Sequence, residues 1–191
     1  MNPASFLYRL YEHLLWRQIK DGRKPQHIGL IVDGNRRFAR TRGLASNEGH
    51  TAGSERLEEF LRWCWRLEIK IITLYGFSIE NYNRSPEEVD HLMDLILGKF
   101  RDFQSDPVFA RERVKIKVIG RREDLSDEIN QEIDKVEAMT REHERFQLNI
   151  AISYGGRAEI VDAVKRIAGE IQAGNMRVDE VQESTVSQYL Y

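Results

Sequence analysis

Cysteine is nearly absent from this chain. Cys64 is the single one in 191 residues, so no intrachain disulfide can form, which fits a reducing compartment. Cys64 has no nearby partner and no histidines stand at metal-site spacing, which argues against zinc. Neither sign of charge is in excess. Lys and Arg number 29 against 31 Asp and Glu, a net charge of −2. This balance gives no electrostatic case for nucleic acid, although a local basic pocket for a small anion stays open. Long apolar runs are missing too, and none approaches the ~20 residues of a membrane span. Arg9, Glu12, His13 and Arg17 interrupt the apolar residues that a signal peptide would need unbroken. These absences predict a cytoplasmic protein, still compatible with peripheral contact at a membrane surface. Internal repeats, low-complexity segments and linkers are absent, as are a Walker A string and a Gly-x-Ser-x-Gly elbow.

What is present is a soluble, globular composition, with 41% hydrophobic and 31% charged residues and enough length for one domain with a substantial core. In residues 5–20, Phe6, Leu7, Leu10, Tyr11, Leu14 and Leu15 recur at helical spacing after Ser5, a capping type. The pattern predicts a helix docked on the domain. A lipid-bound helix, with Tyr8, Tyr11 and Trp16 near headgroups, is the rival, and Glu12 and His13 weaken its cationic face. A turn over 21–25 follows, so residues 1–24 are an N-terminal helix and turn, and 25–191 the main domain. His27 to Val32 is a continuous apolar run ending in Asp33, the pattern of a buried parallel strand. Further strand-like runs cover 71–75, 114–119 and 146–153, and helical stretches cover 48–67, 125–143, 156–173 and 178–190. Another helix starts at Pro86 and carries Val89, Leu92, Met93, Ile96, Phe100 and Phe103 on one stripe. The alternation predicts a single α/β domain with a mostly parallel central sheet flanked by helices. Ligands in such sheets collect beyond the carboxyl ends of the strands, here residues 33–37 and 77–84.

The first of these loops is Asp33-Gly34-Asn35-Arg36-Arg37. A carboxylate at a strand end can share Mg²⁺ with substrate phosphates. Gly34 permits close backbone approach, a helix start offers N–H groups to an anion, and Arg36 and Arg37 suit phosphate oxygens. A strand-end Asp beside two solvated arginines reads equally as an ordinary turn. The second loop holds Ser78 and Asn81 as neutral hydrogen-bonding groups and Arg84 as a further anion donor. His50 lies at a helix start, where its imidazole could donate to a phosphate.

These pieces, in their order, resemble the cis-prenyltransferases. The blocks are 27–37; Glu48-Gly49-His50 with Gly53; 73–86; and Asn149-Ile150-Ala151 leading to Tyr154-Gly155-Gly156-Arg157. Ser78-Ile79-Glu80-Asn81 leans toward the archaeal and eukaryotic branches. The resemblance implies Mg²⁺-dependent condensation of isopentenyl diphosphate onto an allylic diphosphate, repeated in cis geometry to a long-chain product. It implies that Asp33 is the essential carboxylate working with Mg²⁺, and that Gly34, Asn35, Arg36, Arg37, Phe38 and His50 surround the allylic diphosphate. Asn81 matches the position that assists proton removal, and Ser78, Ile79, Glu80, Tyr82 and Arg84 complete the second loop. A homodimer and a hydrophobic tunnel near the 86–103 helix are also implied, whereas periodicity alone accounts for that helix's stripe as core packing.

The chain departs from the family pattern in two places. Ser46 stands where an arginine often contacts diphosphate. A block with an Arg-Thr-Ser-Gly-Glu-like string, expected to bind isopentenyl diphosphate, add to the Mg²⁺ site and build the dimer interface, does not occur up to Tyr191. These 191 residues are therefore expected to hold the allylic half-site, with the block supplied by a longer polypeptide or a partner. A non-catalytic partner subunit is the rival reading. Retention of Asp33 to Arg37 speaks against it, since accessory subunits of the family tend to lose that string.

Overall fold

The computed structural model describes residues 3–191, with the side chains of residue 7 and residues 10–191. The side chains of Ser5, Phe6, Tyr8 and Arg9 lie outside the described residues. Strands β1 (His27–Ile31), β2 (Ile71–Ser78), β3 (Val114–Ile119) and β4 (Phe146–Tyr154) form one sheet in the order β1-β2-β4-β3. Every neighbouring pair is parallel, and the register aligns Leu30 with Leu74, Leu74 with Ile150, and Ile150 with Val118. Side chains alternate along a strand, so this row and its neighbours two residues away make one apolar face.

Helices α1 (Pro3–Ile19), α2 (Asn35–Arg42), α3 (Ser46–Arg66), α4 (Pro86–Ser105), α5 (Pro107–Arg111), α6 (Asp127–Thr140), α7 (Gly156–Gln172) and α8 (Glu183–Tyr189) fill the connections. Leu61 and Trp65 of α3, Phe100 of α4 and Ile129, Ile133 and Val136 of α6 join the buried core on that apolar face. The opposite face carries a polar row. His27 and Asn149 both bond to Thr73 Oγ1, and Gln147 bonds to Asn149, while Lys115 and Lys117 stand exposed beside them.

The predicted parallel α/β domain is present, with two corrections. Strand β1 is an edge strand rather than a fully buried one, and Ile31 is 71% exposed. It has one neighbour and one covered face, so only Ile28 and Leu30 are drawn against the core. Helix α1 touches the domain through the side opposite to the one expected. Trp16 stacks under the Arg66 guanidinium of α3, while Leu7, Leu10, Tyr11, Leu14, Leu15 and Ile19 all face solvent. At 3.6 residues per turn, Trp16 lies about half a turn from Leu7, so one contact turns the apolar stripe outward.

The far end of the sheet is tied to α7 by an ion pair. Arg121 donates to both carboxylate oxygens of Asp162, at 2.7 and 2.9 Å, and the Tyr191 hydroxyl donates to the same group. The Arg121 bonds first, then Tyr191, hold the Asp162 carboxyl down at about 2. A depressed carboxylate contributes stability in full above its unfolded value, near 4, and loses it as pH falls through the folded value. Urea melts between pH 7 and 2 should show Asp162→Asn with a flatter stability slope below about pH 4 than the wild type. Equal slopes would mean that the pair contributes nothing to stability.

Candidate active site

Strand β1 ends two residues before Asp33, and the chain turns there through Gly34, whose φ of 91° lies in the left-handed region. Any other residue at 34 would be strained. The Gly34 N–H donates to Asp33 Oδ1 at 2.6 Å, and Arg37 Nη2 approaches Oδ2 at 3.4 Å. Asp33 itself is 79% exposed at the start of α2. Two glycines on α3 admit α2 at this place. A Cβ on Gly49 would overlap the Asn35 carbonyl, and one on Gly53 would overlap the Asn35 carboxamide. The starts of α2 and α3 therefore lie side by side, and both offer N–H groups and dipole to an anion.

Strand β2 delivers the second group. After Ser78 a 3₁₀ turn (Ile79–Asn83) places Asn81, whose Oδ1 accepts the Ser78 N–H at 2.9 Å. Ser85 caps α4, and Glu88 follows on its first turn. Glu88 joins the two loops. Its Oε1 accepts from His50 Nε2 at 3.0 Å and Arg84 Nη1 at 2.9 Å, with Arg36 Nε 3.9 Å away. Burial pushes the Glu88 carboxyl up, but the His50 bond and the charges of Arg84 and Arg36 outweigh it and leave it below the usual carboxylate range. Glu88 is therefore ionised at neutral pH, and the His50 Nε2 hydrogen is spent on it rather than held out to a phosphate.

These elements enclose a cavity of about 820 Å³. Its mouth carries Asp33, Arg36, Arg37, Arg40, Asn81 and Arg84, and its interior carries Leu57, Leu61, Leu74, Ile96, Phe100 and Ile152. The mouth is cationic and lined by two helix starts, and the interior is apolar. Such a site fits a molecule with an anionic head and a hydrocarbon tail.

Of the residues expected at the site, Asp33, Gly34, Asn35, Arg36, Arg37, His50, Asn81 and Arg84 all line this cavity. Phe38 lines a neighbouring groove along β1, with the Arg42 guanidinium over its ring. Ser78 is buried beneath the loop, Ile79 packs toward Gly155, and Glu80 is exposed. Tyr82 packs edge-on against Phe77 and donates to the Asp124 carbonyl. On α4, Leu92, Ile96, Phe100 and Phe103 face the cavity, together with Leu95, which the expected stripe omitted. Arg40 and Glu88 were not expected. Arg40 lies one turn beyond Arg36 and Arg37 on α2, a spacing that could have found it.

Asp33 also passes a fit test for Mg²⁺. Among the described residues no group of three or more His, Cys, Asp or Glu could hold a metal ion. A single exposed carboxylate beside a cationic pocket suits a cation that keeps waters and shares an anionic ligand's oxygens, rather than one held in a protein cage.

A model of the undecaprenyl diphosphate synthase family matches residues 31–191, which include both site loops. The chain belongs to that family. A tritrans,polycis-undecaprenyl-diphosphate synthase (geranylgeranyl-diphosphate specific) from Thermoplasma acidophilum is 45% identical over 183 residues, 96% of this chain and 71% of that protein. The protein of the same name from Pyrococcus horikoshii is 45% identical over 184 residues, 96% of this chain and 70% of that protein. Among solved structures, lavandulyl diphosphate synthase from Lavandula x intermedia, in complex with dimethylallyl diphosphate, superposes with a TM-score of 0.81. It is 30% identical, over 87% of this chain and 70% of that one. This cis-prenyltransferase is thus an enzyme of the prenyl-transfer class, with the resemblance read from its ordered blocks confirmed and the archaeal likeness borne out.

Proposed function

We propose that the chain binds an allylic diphosphate with its head at Asp33 to Arg37 and its tail in the cavity, and extends it in cis with isopentenyl diphosphate. The observation that carries this reading is the continuity of a cationic mouth with an apolar interior in one cavity. In the reaction the allylic C–O bond breaks, a C–C bond forms to isopentenyl diphosphate, and one proton and one diphosphate leave. Mg²⁺, with Asp33 as its protein ligand, would neutralise charge on the departing diphosphate. Arg36, Arg37, Arg40 and Arg84 stabilise the same developing charge from the protein side. The Asn81 carboxamide, oriented by the Ser78 N–H, keeps its NH₂ group as a donor that can hold the diphosphate oxygen to which the isopentenyl proton passes. The apolar interior excludes water from an allylic cation and serves as the tunnel for a long-chain product.

Relatives named as geranylgeranyl-diphosphate specific support that compound as primer and an undecaprenyl-length product. A homodimer is the assembly expected of the family. The outward stripe of α1 supports peripheral contact with a membrane by a cytoplasmic enzyme, and no described helix is long and apolar enough to cross one.

Incubation of the chain, together with a polypeptide that supplies the isopentenyl diphosphate-binding block, with geranylgeranyl diphosphate, labelled isopentenyl diphosphate and Mg²⁺ tests the reading. Elongated product that disappears with EDTA is the expected result. Neither product nor allylic diphosphate binding would overturn it in favour of a non-catalytic partner subunit.

A further inference from the structure

Strands β2 and β4 do not pair evenly to their ends. The register runs Tyr75 with Ala151, then Phe77 with Ile152, then Ser78 with Tyr154, which leaves first Gly76 and then Ser153 out of the pairing. Each extra residue is a bulge, a device that re-aims a strand beside a site. Gly76 lines the cavity, and Phe77, the very next residue, turns into the core instead of toward the opposite face. Ser153 makes the compensating step. It is fully buried, and its φ of 49° lies in the left-handed region that a serine rarely adopts.

The loop after β3 clamps this strained residue. Gly120 lets the loop come so close that a Cβ there would overlap the Ile152 carbonyl. The Arg121 N–H donates to the Ser153 carbonyl at 3.1 Å, and the Ser153 hydroxyl donates to Asp124 Oδ2 at 2.8 Å. The loop is anchored on its far side, where Arg122 Nε donates to Asn130 Oδ1 of α6 and Asn130 Nδ2 donates back to the Arg122 carbonyl. From this anchored loop the Asp124 carbonyl accepts the Tyr82 hydroxyl at 3.2 Å. Tyr82 directly follows Asn81 in the chain, and its ring packs edge-on against Phe77. The 3₁₀ turn that carries Asn81 is thus held at both ends: Ser78 pairs with Tyr154 beside the bulge, and Tyr82 bonds to the loop that clamps the bulge.

We propose that Ser153 and Asp124 are positioning residues for Asn81, an inference that rests on reading the cavity as the site of prenyl transfer. Without their hydrogen bond the bulge relaxes toward regular pairing. A slip of one residue shifts Ser78 by about 3.3 Å, and Asn81, whose Oδ1 accepts the Ser78 N–H, moves with it. The allylic head is held independently, by Asp33 to Arg37 on one side and by Arg84, tied to Glu88, on the other. The transfer step therefore bears the loss, and binding of the allylic diphosphate does not.

Ser153→Gly and Asp124→Ala delete the same hydrogen bond with different effects on strain. Glycine accepts a positive φ, whereas Asp124→Ala leaves the serine in it. Asp124 is exposed, so its truncation leaves the fold intact should the change at buried Ser153 not. With the isopentenyl diphosphate-binding block supplied, both variants should lower kcat by about tenfold or more, within the ~10²-fold cost of a misplacement of about 1 Å. The two losses should match even though Ser153→Gly melts at the higher temperature, and calorimetric affinity for geranylgeranyl diphosphate should stay at wild type. Tyr82→Phe keeps the ring, loses the hydroxyl and should lower kcat by the same factor. Combined with Ser153→Gly it should cost no more than either change alone, because both interrupt one chain of contacts. A kcat that follows the melting temperature, losses that multiply in the double variant, or wild-type kcat in all three single variants overturns the positioning role and leaves the enzyme reading standing. A wild type that incorporates no isopentenyl diphosphate with the block present overturns the prenyl-transfer reading and this role with it.

Discussion

Replacing Asp33 with alanine lowers isopentenyl diphosphate incorporation on the order of 10²–10³-fold, the scale of losing one pre-aimed electrostatic group from a transition state. The loss is expected in kcat, because Asp33 would hold the cation that supplies charge neutralisation as the allylic C–O bond breaks. Stability should hardly move. Asp33 is 79% exposed and its ion pair with Arg37 is 71% exposed on the other side, so the pair contributes little to folding. Activity lost with an unchanged melting temperature, read in parallel assays, distinguishes a catalytic carboxylate from a turn residue. A variant that melts early and keeps its specific activity would return Asp33 to the role of an ordinary strand-end cap.

The second large effect falls on a residue that never faces the reacting atoms. Glu88→Ala leaves His50 and Arg84 without their shared acceptor. His50 is 6% exposed, so its ring cannot recover water. The expected cost is about 2–4 kcal/mol in urea unfolding, the range for breaking hydrogen bonds to a partly buried charge. Affinity for the allylic diphosphate should fall as well, because Arg84 and Arg36 lose the carboxylate that aims them at the mouth. Glu88→Gln keeps the shape and should recover part of the stability, without the full affinity. A Glu88→Ala protein as stable as wild type would contradict the role of this carboxylate as the joint between the two loops.

Much of this was readable from the residues. The alternation of apolar runs with helical stripes gives the parallel sheet, because strands and helices bury different periods. The rule that ligands gather beyond strand ends then selects the loops holding Asp33 and Asn81. Glu88 escaped for a physical reason. Ser85-Pro86-Glu87-Glu88 is an ordinary helix start, and Ser85 does accept the Glu88 N–H, so the string explains itself locally. Its second task depends on His50, 38 positions away. Gly49 and Gly53 carried a motif but not its cause, which is the space that Asn35 needs against α3. Edge position and helix orientation are also tertiary properties. Nothing in His27 to Val32 says that β1 has one neighbour, and nothing in the α1 stripe says that Trp16 makes the contact.

The most direct measurement of the central claim is a titration of the chain, by calorimetry with Mg²⁺ present, with inorganic diphosphate, dimethylallyl diphosphate and geranylgeranyl diphosphate. A cavity that joins a cationic mouth to an apolar interior predicts affinity rising with tail length, since each buried CH₂ contributes up to about 0.8 kcal/mol. Geranylgeranyl diphosphate should bind at least about tenfold tighter than inorganic diphosphate, a difference of about 1.4 kcal/mol, and Arg37→Ala should weaken all three. Equal affinities for the three ligands would show that the apolar interior takes no prenyl tail and would contradict the account.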